Sequence, residues 1–209
     1  MPTIEELREL QAMPLEQKLL ITNARIDEWI AKNGGSDGVY VSFSGGKDST
    51  VLLHLVRQRY PDVEAVFCDT GLEYPEIRQF VKSFDNVTIL RPKMNFRDVI
   101  IKYGYPIISK ETAFKLKYLR LGSPWAMKYL NPDYKSMFSI HRYKDICKMD
   151  FLVASDCCNV MKKEPFHKWE KNGKVPFLAT LAEESILRTQ KWLQGGCNTF
   201  SGRKSGKPL

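Results

Sequence analysis

The chain has 209 residues, 43% apolar and 11% aromatic, enough to bury one good core in a single domain with at most a small appendage. Thirty-two Lys and Arg against 24 Asp and Glu give a net charge of +8, which is compatible with a nucleic-acid partner and equally with a solvated basic surface that attracts a nucleotide. There is no apolar run long enough for a membrane span and no basic-then-apolar leader, and five cysteines, an odd number, speak against a secreted disulfide framework; the expected setting is the cytoplasm.

Thr3 and Glu6 have capping-box spacing, and Pro14 opens a second helix whose Leu15, Leu19, Leu20, Ile26, Trp29 and Ile30 form an apolar face up to Gly34-Gly35. Residues 1–35 are therefore expected as a helical arm ahead of a domain over 36–209. Val39, Val41 and Phe43 alternate with Tyr40 and Ser42 as in a buried strand, and Val51, Leu52, Leu53, Leu55 and Val56 then recur at helical spacing. Val63 to Phe67 read as a second strand, Pro75 opens a helix to about Phe84, and Val87 to Leu90 read as a third strand. Phe96 to Tyr103 and Lys110 to Leu121 read as helices, while Gly122 to Met149 is aromatic and basic without a clear period. A last strand is expected over Phe177 to Leu181, followed by a helix from about Glu183 to Leu193. This alternation predicts an α/β fold, a parallel β-sheet flanked by helices, with ligands at the carboxyl ends of the strands.

The first strand-to-helix junction reads Ser42-Phe43-Ser44-Gly45-Gly46-Lys47-Asp48-Ser49-Thr50. Paired glycines let the backbone turn closely around an anion, the first helical amides point at it, and Lys47 with the hydroxyls of Ser44, Ser49 and Thr50 adds charge and donors. A Walker A loop would need Gly at Val41 and Ser or Thr at Asp48, and no G-x-G-x-x-G turn is present. The plain structural alternative is a Gly-Gly turn in which Asp48 and Ser49 only cap a helix. The second strand ends in Cys68-Asp69-Thr70-Gly71-Leu72-Glu73, where Asp69 is placed to accept from ribose hydroxyls or to help hold magnesium, and Gly71 permits a positive-φ turn. The alternative for Asp69 and Thr70 is an Asx-type turn, and Cys68 reads as buried packing. His54, among Leu53, Leu55 and Val56, reads as a packed residue, and neither His141 nor His167 belongs to a recognisable pair or triad.

The Ser-Gly-Gly-x-Asp-Ser loop resembles that of the PP-loop family of ATP pyrophosphatases, and with the Asp69 to Glu73 turn it resembles the phosphoadenylyl-sulfate (PAPS) and adenylyl-sulfate reductases within it. That resemblance implies a Rossmann-like PP-loop fold and an adenine nucleotide (adenylyl sulfate, PAPS or ATP) bound at Ser44, Gly45, Gly46, Lys47, Asp48, Ser49, Asp69, Thr70, Gly71 and Glu73. Asp156-Cys157-Cys158, with Lys162 and Lys163 following, is similar to the segment that ligates a [4Fe–4S] cluster in some adenylyl-sulfate reductases, where a basic pair approaches the substrate. Thr180 to Arg188 is similar to the block in which an arginine, here Arg188, lies near the sulfate or phosphate; Glu184 stands where a basic residue is usual. The resemblance runs from about Gly38 to Leu209, and the C-terminal cysteine segment usual in the family is expected to be missing.

Setting Cys68 aside leaves Cys147, Cys157, Cys158 and Cys197, the number a [4Fe–4S] cluster needs, although no C-x-x-C spacing is present and a Cys-Cys pair can equally be buried thiols. Three functions follow. One is reduction of adenylyl sulfate or PAPS to sulfite, with Lys47 and Arg188 neutralising charge, Cys197 as the available thiol and an electron- or sulfur-donor protein as partner. The second is ATP-dependent sulfur transfer to a nucleic acid or small molecule, with magnesium at the pyrophosphate. The third is nucleotide binding without turnover.

Overall fold

A computed structural model describes residues 2–136, 139–200 and 204–209. The chain divides into two compact units, one of Met1–Asp69, Glu73–Leu90 and Lys168–Leu209, the other of Thr70–Leu72 and Arg91–His167.

The first unit begins with α1 (Ile4–Ala12) and α2 (Leu15–Lys32), followed by β1 (Val39–Ser42), α3 (Lys47–Arg59), β2 (Glu64–Cys68), α4 (Pro75–Lys82) and β3 (Val87–Leu90). The second unit holds α5 (Phe96–Tyr103), α6 (Lys110–Arg120) and α7 (Pro124–Met127), and α8 (Glu164–Trp169) leads the chain out of it. Back in the first unit come β4 (Val175–Phe177), α9 (Ile186–Gly195), β5 (Asn198–Thr199) and β6 (Ser205–Gly206). α1 starts as its spacing predicts: Thr3 accepts from the Glu6 amide at 3.2 Å and the Glu6 carboxylate takes the Thr3 amide at 2.8 Å, satisfying two orphan donors.

The strand order is β3-β2-β1-β4-β6-β5. All neighbours are parallel except the β5–β6 pair, so the sheet is mixed but mostly parallel. Val41 lies opposite Ala65 on one side and Phe177 on the other. The connection from β1 runs to β2 on one side while β4 lies on the other, so the order reverses at the β1/β4 boundary and opens a crevice beyond the strand ends. Ile26, Trp29, Val41, Leu52, Val56 and Phe177 are fully buried, which packs α2 and α3 against the sheet. Asp27 fixes the two helices at the rim: it accepts from Arg59 at 2.8 and 2.6 Å and from the Tyr60 hydroxyl at 2.9 Å.

Two expectations change. β4 covers Val175–Phe177, ending where the last strand was expected to begin; three residues show no period, and Pro176 weakens any strand reading. Beyond it the Leu178 amide donates to Gly206 O at 2.7 Å and the chain turns away. His54 is exposed on α3 and bonded to Gln58 Nε2 at 3.0 Å, because it falls one position off the helix face that buries Leu52, Leu53, Leu55 and Val56.

In the second unit Ala113 and Leu116 of α6 pack with Ile140 and Val153, and Val99 of α5 packs with Val160 and Met161. Among the described residues no helix is long and apolar enough to cross a membrane. Phe177 fills the space between α2 and the sheet, so Phe177→Ala should remove about 3–5 kcal/mol of stability, read as a lower urea midpoint with an unchanged slope.

Candidate functional site

The Phe43 amide donates to Val66 O at 2.9 Å, carrying the β1–β2 ladder one step beyond β1 before the chain turns. Ser49, nearly buried, organises that turn. Its hydroxyl donates to Gly46 O at 2.9 Å and accepts from the Ser44 amide at 3.2 Å, and the Ser44 hydroxyl lies 2.9 Å away, where it donates to Ser49 and accepts the Gly46 amide at 3.3 Å. Thr50 Oγ1 also donates to Gly46 O, at 2.9 Å. Gly45 has φ +73°, and a Cβ there would stand 2.8 Å from Ile77 Cγ2 and 3.0 Å from Val81 Cγ2, so both conformation and space demand glycine.

Thr3, Asn95, Ser109 and Ser185 cap their helices with a side-chain oxygen, but α3 has Gly46 at that position and no side-chain cap. The first-turn amides of α3 therefore stay available to an outside anion, with Lys47 exposed beside them. Capping by Asp48 or Ser49, the plain alternative for this motif, is not what the geometry holds.

At the end of β2 the Asp69 amide donates to Leu90 O at 2.9 Å, prolonging the ladder past Cys68. The buried Asp69 carboxylate receives Arg78 Nη2 of α4 at 2.8 Å. Arg78 was not singled out from the sequence; Pro75 as the first helical residue puts it one turn along, and that was the available signal. The turn enters the second unit at Thr70–Leu72 and returns at Glu73; Thr70 Oγ1 accepts the Leu72 amide at 3.3 Å, and Gly71 has φ +81°.

The first unit also contains a cavity of about 550 Å³, lined by residues of the N-terminal arm and of the C-terminal segment. One wall is the 178–183 stretch leaving β4, which emerges next to the 44–50 loop because β1 and β4 are adjacent and parallel. Lys18, Arg25, Arg188, Lys191 and Lys207 line it with one acid, Glu183. The cavity brings together Arg188 and Cys197, both singled out from the sequence. Arg188 is ion-paired with Glu184, which also accepts the Leu181 amide at 2.8 Å. Cys197 Sγ accepts Trp192 Nε1 at 3.2 Å, and its carbonyl takes the Lys207 amide at 3.0 Å across the β5–β6 pairing. Burial pushes the Lys207 ammonium below the usual lysine range, with the neighbouring Cys197 acting the other way.

The remaining cysteines have settings of their own. Cys147 packs with the Ala113 cluster, where burial pushes its thiol up against the opposing pull of Arg120, and Cys157 packs with the Val99 cluster. Cys158 is half-buried and Cys68 is buried. Among the described residues no three His, Cys, Asp or Glu side chains are grouped as a metal site. The physical reason is that apolar packing draws Cys147 and Cys157 into separate clusters. Lys162 and Lys163 are exposed on a π-helical turn of the second unit.

Residues 38–112 match the family model of the phosphoadenosine phosphosulfate reductase domain. An uncharacterized protein of Methanocaldococcus jannaschii is 40% identical over 73 residues, 32% of this chain and 18% of that protein. The phosphoadenosine 5'-phosphosulfate reductase of Photorhabdus laumondii is 26% identical over 99% of this chain and 68% of its own length. That of Photobacterium profundum is 36% identical over 37% of this chain and 30% of its own. The chain thus spans well under half of the first and third of these relatives. The matched segment runs through both glycine turns, and over it the chain is similar to the phosphoadenosine phosphosulfate reductase domain.

Proposed function

We propose that the chain binds an adenine nucleotide at the 44–50 loop and reduces its sulfated form, adenylyl sulfate or its 3′-phosphate, to sulfite. What supports this reading is an uncapped α3 amide turn, held open by the Ser44–Ser49 network, in the same unit as a cavity in which Arg188, Lys207 and a thiol lie together. The loop amides and Lys47 take the phosphate, Asp69 is placed for the nucleoside side, and the cavity cations neutralise the sulfate.

Cys197 as thiolate attacks the sulfur; the S–O bond to the nucleotide breaks, AMP or adenosine bisphosphate leaves with its oxygen charged, and the thiol carries –SO₃⁻. An external dithiol then displaces sulfite and is itself oxidised to the disulfide, restoring Cys197. No step depends on a metal cluster.

Incubation with each sulfated nucleotide and a dithiol should yield matching sulfite and unsulfated nucleotide. Cys197→Ser should abolish sulfite while leaving nucleotide binding intact; undiminished sulfite would remove the thiol from the mechanism, and AMP with pyrophosphate from ATP would establish sulfur transfer instead. Gly45→Ala forces an L-residue into the left-handed region and against Ile77, so nucleotide affinity should fall at least about tenfold by calorimetry. Because the Lys207 pKa is lowered, its charge is lost at a lower pH than for an ordinary lysine. Substrate affinity should therefore weaken as pH rises through that lowered value, and Lys207→Met should flatten this dependence.

A further inference from the structure

The chain's net charge is not evenly spread. The second unit holds fifteen Lys and Arg against seven Asp and Glu, an excess of eight, whereas the first unit holds seventeen of each, so the whole +8 resides in the second unit. Within it, residues 112–132 contain no acid and include Lys115, Lys117, Arg120 and Lys128.

The same stretch carries a ladder of aromatic rings. Phe114 and Tyr118 stand one turn apart on α6, on the face opposite Ala113 and Leu116, with centroids 4.7 Å apart. Phe114 meets Trp125 of α7 at 5.8 Å, Trp125 meets Tyr129 at 5.3 Å, and Tyr129 meets Tyr134 at 5.4 Å. Tyr129 anchors the ladder by packing on the Ala113 cluster, while Phe114, Tyr118, Trp125 and Tyr134 are 37–41% exposed. Cations border the rings: Lys128 Nζ lies 5.2 Å from the Tyr129 centroid and 5.7 Å from that of Tyr134, Lys110 is exposed one turn before Phe114, and Lys135 follows Tyr134.

We propose that this face binds a single-stranded polynucleotide. Exposed rings supply faces on which unpaired bases stack, and lysines at the edge of the ladder hold the backbone phosphates, the two parts that sequence-tolerant single-strand binding requires. A duplex, with its bases already stacked, leaves the rings without partners. A second copy of the chain would set one excess of eight positive charges against another, so charge complementarity selects a polyanion as the occupant.

The test is fluorescence anisotropy of the full chain with a labelled 12-nucleotide single-stranded DNA at 50 and 200 mM salt. Affinity should fall roughly tenfold or more between the two salt concentrations. Trp125→Ala and Tyr134→Ala, each checked for an unchanged melting temperature, should each weaken binding by roughly 5- to 100-fold, and the duplex of the same sequence should compete poorly. Equal affinity in both ring variants would reduce the interaction to charge alone and overturn the proposal, as would preference for the duplex. Absence of oligonucleotide binding, with the ring variants instead converting a dimer to a monomer in sedimentation, would assign the face to a second copy.

Discussion

The carboxyl edge of the sheet depends on β1 having parallel neighbours on both sides whose connections diverge. With Val41 paired to Ala65 and to Phe177, the loops leaving β1 and β4 emerge side by side, yet no helix crosses directly between them as one would inside a βαβ unit. The backbone there has no neighbouring element to satisfy it, and Ser44 and Ser49 do so locally, bonding the loop to itself while the α3 amides remain directed outward. α4 sets the other limit: Ile77 and Val81 press so closely on Gly45 that the loop follows a single path. An outward-facing turn of amides at this point follows from topology first and residue chemistry second.

Much of the first unit was legible because its elements are punctuated by chemistry with one local meaning. Thr3 with Glu6, Pro75 at a helix start and the Gly-Gly turn act over a few residues, and the elements they bound fall where the pattern places them. β3 and α5 match at both ends. β4 was misplaced since its three residues are defined by partners more than a hundred positions away. The cavity was opaque for the same reason: Lys18, Arg25, Lys191 and Lys207 carry no shared spacing and meet only through the fold. Arg188 was noticed through resemblance and Cys197 through the cysteine count, while the hydrogen bond from Trp192 that orients the thiol was not.

The N-terminal arm is more than an appendage to this sheet. Trp29 of α2 is fully buried, and a Cβ on Gly206 would stand 2.9 Å from its ring, so β6 lies as close to α2 as a glycine backbone allows. That contact fixes where the C-terminal strand pair lies, and the pairing of Asn198 with Gly206 then sets Cys197 opposite Lys207. Lys18 and Arg25 reach the same cavity from the arm, so its charge is assembled from both ends of the described chain.

Concentrating cations around Cys197 has an electrostatic consequence. Lys18, Arg25, Arg188, Lys191 and Lys207 outnumber the single acid Glu183 along the cavity walls, and that excess of positive charge favours an anion in the cavity. Burial of Lys207 works against this arrangement by disfavouring its charge, and the neighbouring Cys197 offsets that loss. An anionic ligand entering the cavity would favour the Lys207 ammonium further. The Trp192 indole N–H, a donor that carries no charge of its own, orients the Cys197 sulfur at 3.2 Å whatever the charge of Lys207.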